Sequence, residues 1–254
     1  MTMTNTLTAM KKKVALVTGG SSGLGEGIAR DLARDGFEVA VCARGIDRLS
    51  AMEADGFAVT SCDIGSPADV ARLKNWMSQR FGGFDVLVNC AGVALPRAAF
   101  IDVDFAAAEN LFRINVLGTL SVTHALLPLM IGRQGSIINF SSPLAQRPRA
   151  GSAVYAASKG AIDTFTKALA IELATHNIRV NCVAPALVRS DIYVAAGMSP
   201  SDYSKLLEAR GAESPLGRVG EPSDVSNLVS FLVSEKASWM TGLIVPVDGG
   251  ALLR

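Results

Sequence analysis

The sequence predicts an α/β fold: a doubly wound parallel β-sheet of about seven strands, with helices on both faces. Three observations predict it. Short apolar runs alternate with longer helix-patterned stretches along the whole chain. Most of these runs are continuous rather than alternating, as in strands covered on both faces. The first of them ends in a glycine turn that opens straight into a helix.

That first run, Val14 to Val17, is rich in branched residues and bounded by Gly19 and Gly20, which reads as a buried strand. Leu24, Ile28, Ala29 and Leu32 then follow helical spacing until Gly36. Phe37 to Cys42 is the second predicted strand, Asp47 to Asp55 a helix, and Phe57 to Ser61 the third strand, ending at Cys62-Asp63-Ile64. Ser66 as cap and Pro67 at the first position start a helix that runs to Phe81. Phe84 to Val88 is the fourth strand, followed by Asn89-Cys90-Ala91-Gly92. A long helix is predicted from Asp104 to about Met130, a fifth strand over Gly135 to Phe140, and a second long helix over Ser152 to Thr175. Ile178 to Val183 is the sixth strand, Ser199 to Arg210 a helix in an insertion, and Pro222 to Ser234 a helix with Glu221 and Asp224 at its N-terminus. Leu243 to Val245 is the last short strand.

Composition narrows the function. A chain of 254 residues that is 49% hydrophobic builds one large domain, here 13–254, behind a threonine-rich, then basic tail over 1–12 that is expected to be flexible. A net charge of +1 points to neither nucleic acid nor an anionic membrane, and no apolar run is long enough to span a bilayer. Cys42, Cys62, Cys90 and Cys182 lie far apart without a C-x-x-C pair, so neither a zinc site nor a disulfide framework is expected. His124 and His176 lack the carboxylate pattern of a metal site, and no metal is expected. This cysteine usage, with no signal-peptide core near the start, points to the cytoplasm.

In a doubly wound sheet the ligand sits beyond the carboxyl ends of the strands, and the unusual short segments fall there. The turn Thr18-Gly19-x-x-x-Gly23-x-Gly25 leaves backbone N–H groups at a helix N-terminus, where a phosphate binds. Tyr155 and Lys159 stand one turn apart on the second long helix. A tyrosine ordinarily ionises near pH ~10, and a neighbouring lysine cation favours the phenolate. Ser141 and Ser142 end the preceding strand, where either hydroxyl can meet a carbonyl or cap the strand. Asn115 is a poor helix former in mid-helix, explained either by an interhelix hydrogen bond or by a water linked to Lys159.

These segments together resemble the short-chain dehydrogenase/reductase family, in its single-domain branch with a Rossmann-like fold, from about Lys13 to Gly250. The resemblance rests on the glycine turn, Asp63, Asn89-x-Ala91-Gly92, Asn115, Ser142, Tyr155-x-x-x-Lys159 and Asn181-x-x-x-Pro185, in that order. It implies a nicotinamide-dependent oxidoreductase acting on a small carbonyl or alcohol, and a homotetramer. Tyr155 would be the general acid or base. Ser142, thirteen residues earlier as in the family, would hold the carbonyl. Lys159 would bind the nicotinamide ribose and tune Tyr155, and Asn115 would hold a relay water. Gly19, Ser21, Ser22, Gly23, Leu24 and Gly25 would meet the pyrophosphate, Asp63 and Ile64 the adenine, and Asn89, Ala91 and Gly92 the ribose. Pro185, Ala186, Val188 and Ser190 would face the nicotinamide end, with Ala186 in place of the family's glycine, Ser190 in place of its threonine, and Cys90 in place of a second asparagine. Tyr193, Met198 and Tyr203 fall where the family carries a lid. Arg147 and Arg149 flank the loop before Tyr155, as a solvated pair or as a greeting for an anionic substrate. Two further readings stay open: a 3-oxoacyl-thioester reductase, and a non-catalytic protein that senses the cofactor's redox state.

Cofactor choice is read at the end of the second strand, where sites for NAD put an acid. Ala43 stands at that position and Arg44 follows it. The pair leaves room and charge for a 2′-phosphate, so NADP(H) is favoured over NAD(H). Ser21 and Ser22 add hydroxyls, and no second cation is evident there.

Overall fold

Apolar, branched segments form the strands, and their register builds one sheet. β1 (Val14–Thr18) is buried along its whole length and pairs in parallel with β2 (Glu38–Ala43) on one side and β4 (Val86–Asn89) on the other. β3 (Ala58–Ser61) extends the first side; β5 (Ser136–Phe140), β6 (Arg179–Pro185) and β7 (Ile244–Val247) extend the second. The resulting seven-stranded sheet has the order β3-β2-β1-β4-β5-β6-β7. The chain reverses direction across the sheet between β1 and β4, which places a crevice there. These are the features of a computed structural model that describes residues 12–190, 194 and 197–253. Tyr193 and all but the last residue of the 1–12 segment lie outside the described residues.

Alternate residues of the strands feed two cores. On one face Leu16, Leu87, Ile137 and Val180 pack against α3 (Pro67–Phe81), the helical stretch after β4, and α7 (Ala153–Leu173). On the other face Val17, Val41, Val88 and Val183 pack against α1 (Gly23–Arg34), α2 (Ile46–Ala54) and a helix over Pro222–Val233. Leu16 sits between Ala40 and Leu87 and is fully buried. Burial of such a side chain contributes roughly 1.5–3 kcal/mol, so the strand centres hold the fold and leave the strand ends to ligands.

The caps behave as their side chains dictate. The Ser66 hydroxyl accepts from Asp69 N at the start of α3. Glu221 and Asp224 form a capping box on either side of Pro222. The stretch predicted as one helix from Asp104 is broken: α4 (Phe105–Phe112), a π segment (Arg113–Gly118) and α5 (Thr119–Leu126) follow one another. Asn115 lies inside the π segment. A short helix, α6 (Pro143–Gln146), fills the loop before α7, and α8 (Pro200–Glu213) covers the cleft before α9 (Pro222–Val233).

Candidate active site

The carboxyl edge of the sheet carries one continuous cleft of about 1790 Å³, running from the glycine turn to the start of α7. Its near end is a cradle of bare backbone. Gly19 has a φ of +66°, and a Cβ there would meet Ala91 Cα at 2.8 Å. A Cβ on Gly25 would lie 2.3 Å from Gly19 O. Thr18 Oγ1 accepts from Ala91 N at 3.1 Å and locks the β1 turn to the β4 turn. Ser22 caps α1 without a side-chain hydrogen bond to its first turn, which leaves those N–H groups to a ligand.

Ser21, Ser22, Gly23, Leu24, Ala43, Arg44, Asp63, Ile64, Ala91 and Gly92 line this half of the cleft. Arg48 lines it too, four residues after Arg44, and is a second cation that the sequence reading missed. Asp63 accepts from Gly65 N at 2.9 Å, which shapes the turn after β3. Asn89 points elsewhere. Its amide donates to Thr123 Oγ1 and to Asn139 Oδ1, both at 2.9 Å, inside the protein. The Asn89 side chain is therefore absent from the cleft wall and forms an internal link between β4, β5 and α5.

At the far end Ser142, Tyr155 and Lys159 come together. Ser142 lies two residues past β5 and caps α6, accepting from Leu144 N at 3.2 Å. Its neighbour Ser141 turns inward and donates to Lys159 O at 3.1 Å, so the hydroxyl presented beside Tyr155 is that of Ser142. Lys159 is buried; its Nζ donates to Phe140 O at 2.9 Å and stands 5.7 Å from the Tyr155 ring centre. Burial lowers the Lys159 pKa, opposed by Cys182, Cys90 and Asp163. Burial also pushes Tyr155 up to about 12, with the Ser142 hydrogen bond pulling the other way. Desolvation of the phenolate keeps the phenol protonated at neutral pH in the free cleft.

That balance is measurable. Phenolate absorbance of the free protein, taken as wild type minus Tyr155→Phe, should titrate with a midpoint of about 12. A midpoint at or below ~10 would show that the lysine outweighs burial. The sign for stability follows. The unfolded phenol ionises first, so this group destabilises the fold only as pH rises from ~10 toward the folded value.

Asn115 stands behind this end rather than in its wall. Its Oδ1 accepts from Val93 N at 2.8 Å and its Nδ2 donates to Val93 O at 2.9 Å. The bond joins the π segment to the loop after β4, not one helix to another. Gly92 is the spacer between Asn115 and Lys159: a Cβ there would sit 3.2 Å from Asn115 Oδ1 and 4.0 Å from Lys159 Nζ. Pro185, Ala186, Val188 and Ser190 close the cleft from β6. Ser190 reaches over the turn, its Cβ 3.3 Å from where a Gly23 side chain would start. Ser190 N donates to Tyr203 Oη at 2.9 Å, and Met198 lines the cleft below α8.

A family model described as enoyl-(acyl carrier protein) reductase matches residues 19–251. Dehydrogenase/reductase SDR family member 4 of Bos taurus is 37% identical, over 96% of this chain and 88% of that protein. The chain belongs to the short-chain dehydrogenase/reductase family. It is an oxidoreductase of CH–OH and C=O groups, and the family implies a nicotinamide cofactor. Cis-4-hydroxycyclohexanecarboxylate dehydrogenase of Sinomonas cyclohexanicum is 36% identical over 95% of this chain and 97% of that protein. Among solved structures, a short-chain dehydrogenase/reductase of unknown function from Caenorhabditis elegans, determined with cofactor, superposes with a TM-score of 0.89. That pair is 29% identical and covers 95% of both chains. Among the described residues no helix is long and apolar enough to cross a membrane.

The residues present fit a nicotinamide dinucleotide. The glycine cradle and uncapped helix start suit a pyrophosphate, and the cleft leads from there to Tyr155 without interruption.

Proposed function

We propose that this chain is an NADP(H)-favouring carbonyl reductase or alcohol dehydrogenase. The observation that carries the reading is the convergence of Ser142, Tyr155 and Lys159 at the end of a cleft that begins in the glycine cradle. A bound nicotinamide would supply or accept the hydride. Ser142 orients the substrate carbonyl by hydrogen bonding. Tyr155, neutral in its buried setting, donates its proton to the carbonyl oxygen in reduction and takes it back in oxidation. Lys159 holds its cation beside the phenol and compensates the charge that develops there. Asn115 fixes the Gly92 loop against Lys159. The substrate is a small ketone or secondary alcohol, a class supported by the relative named for a hydroxycyclohexanecarboxylate. A screen of cofactor consumption over ketones, acyl thioesters and hydroxy acids tests the reading, and no turnover of any of them contradicts it.

NADP(H) is favoured because Ala43 leaves room for a 2′-phosphate and Arg44 and Arg48 line that end with positive charge. Arg44→Ala should weaken NADPH about tenfold in kcat/KM with little effect on NADH. Ala43→Asp should shift preference toward NADH. A wild type that prefers NADH tenfold, about 1.4 kcal/mol in the wrong direction, contradicts the assignment.

The assembly is proposed as a homotetramer. Phe105, Leu117 and Ile171, on α4, in the π segment and on α7, are between 60% and 77% exposed, an apolar surface that another subunit would cover. Light scattering at micromolar concentration should give a tetramer, and a stable monomer contradicts it.

A further inference from the structure

Beyond Ser142 and Tyr155 the cleft reaches a wall that proton transfer does not use. Arg149 and Arg210 both donate to the carboxylate of Glu213, Arg149 Nη1 at 3.2 Å from Oε2, and all three side chains line the cleft. Arg149 is held firmly. Its N–H donates to Ser152 Oγ at 3.1 Å, and its carbonyl accepts from Ser152 Oγ at 2.6 Å. Ser152 is buried and caps α7, ~4.5 Å of helix rise before Tyr155. The Arg149 backbone is thus tied to the same rigid element as the phenol, and its guanidinium is held by Glu213.

Among the described residues, the two guanidiniums on this carboxylate leave a surplus of one positive charge, and more N–H donors than one carboxylate accepts. Glu213 is charged at neutral pH, because the two arginines hold its carboxyl below the usual range. Among the described residues, neither Asp224 nor Asp248 consumes the surplus. Asp224 is spent on Arg218 through two bonds of 2.6 and 2.8 Å. Both oxygens of Asp248 accept from backbone N–H groups, those of Gly250 and Leu252. A monoanion matches the surplus, and a guanidinium fork suits a carboxylate.

We propose that Arg149 and Arg210, braced by Glu213, form an anion subsite and that the carbonyl substrate carries a carboxylate. The proposal rests on the carbonyl–alcohol reading above. The carboxylate makes and breaks no bond: the ketone carbon gains the hydride, its oxygen gains the Tyr155 proton, and the acid group only anchors.

The test compares acid and ester. Levulinate and acetoacetate should exceed their methyl esters in kcat/KM by about tenfold, mainly through KM. Arg149→Ala and Arg210→Ala should collapse that ratio toward one, and Arg149→Lys should keep part of it. Equal kcat/KM for acid and ester in wild type overturns the proposal, as does a ratio that survives both alanine variants. Equal loss for acid and ester would mean that the arginines only brace α8, which also overturns it. Calorimetry on the full chain gives a second arm: hexanoate should bind about tenfold more tightly than hexanamide. Should no carbonyl compound turn over, the carbonyl–alcohol reading fails, and equal calorimetric affinities then overturn the subsite separately.

Discussion

Tyr155→Phe is expected to cut kcat about a thousandfold, ~4 kcal/mol of barrier, while leaving cofactor affinity within about twofold of wild type. The substitution removes one oxygen and keeps the ring that stands 5.7 Å from Lys159 Nζ. Ser142 would keep its bond from Leu144 N, so the carbonyl would still be oriented but would meet no proton donor. General acid catalysis contributes about a hundred- to ten-thousandfold, and the phenol is the group placed to supply it. Single-turnover kinetics separates this from a binding defect, because the loss should fall on kcat. A variant that keeps more than about a tenth of wild-type kcat, a loss under ~1.4 kcal/mol, would take Tyr155 out of the role.

Gly25→Ala is expected to weaken cofactor binding by about a hundredfold, ~2.7 kcal/mol, and to lower Tm. The added Cβ would lie 2.3 Å from Gly19 O, 2.9 Å from Gly19 C and 3.1 Å from Gly20 Cα. All three are backbone atoms, so no side chain can swing aside to admit it. The turn must move, and it is coupled to the β4 turn, because Gly19 is packed against Ala91 and Thr18 bonds Ala91 N. Overpacking of this kind costs roughly 1–3 kcal/mol of stability. Direct binding titration with NADP(H) and a melting curve read the two effects apart. Wild-type affinity in this variant would mean that the glycine turn does not cradle the ligand.

Much of this site was legible in the sequence because its parts are local. A glycine turn between strand and helix, and a tyrosine and lysine one turn apart, announce themselves at short spacing. The sheet covered on both faces followed from continuous, branched apolar runs, and Ser66-Pro67 and Glu221-Pro222 marked helix starts that the structure keeps. What escaped depends on partners far along the chain. The π segment at Asn115 arises where the helix meets Val93, 22 positions away, and no periodicity records that. Asn89 looked like a cleft residue by position, yet its amide found Asn139, 50 positions on. The spacing to Tyr155 favoured Ser142 over Ser141, but the bond that turns Ser141 inward, to the Lys159 carbonyl 18 residues beyond it, is visible only in the fold. Arg210 and Glu213 sit in an insertion with no local signal, and only the fold brings them to Arg149.

The phenol's protonation also lay beyond the sequence. A lysine at i+4 is read directly from the spacing, but the burial that raises the phenol's pKa is a property of the packed chain.

The central claim is that hydride passes between a nicotinamide and a carbonyl carbon in this cleft. The most direct measurement uses NADPH carrying deuterium at the transferable position of its nicotinamide ring, incubated with the protein and a ketone that it consumes. Mass spectrometry of the alcohol should find one deuterium, at the carbinol carbon. An alcohol formed without label from either face of the ring, or cofactor consumed with no alcohol formed, would contradict the claim.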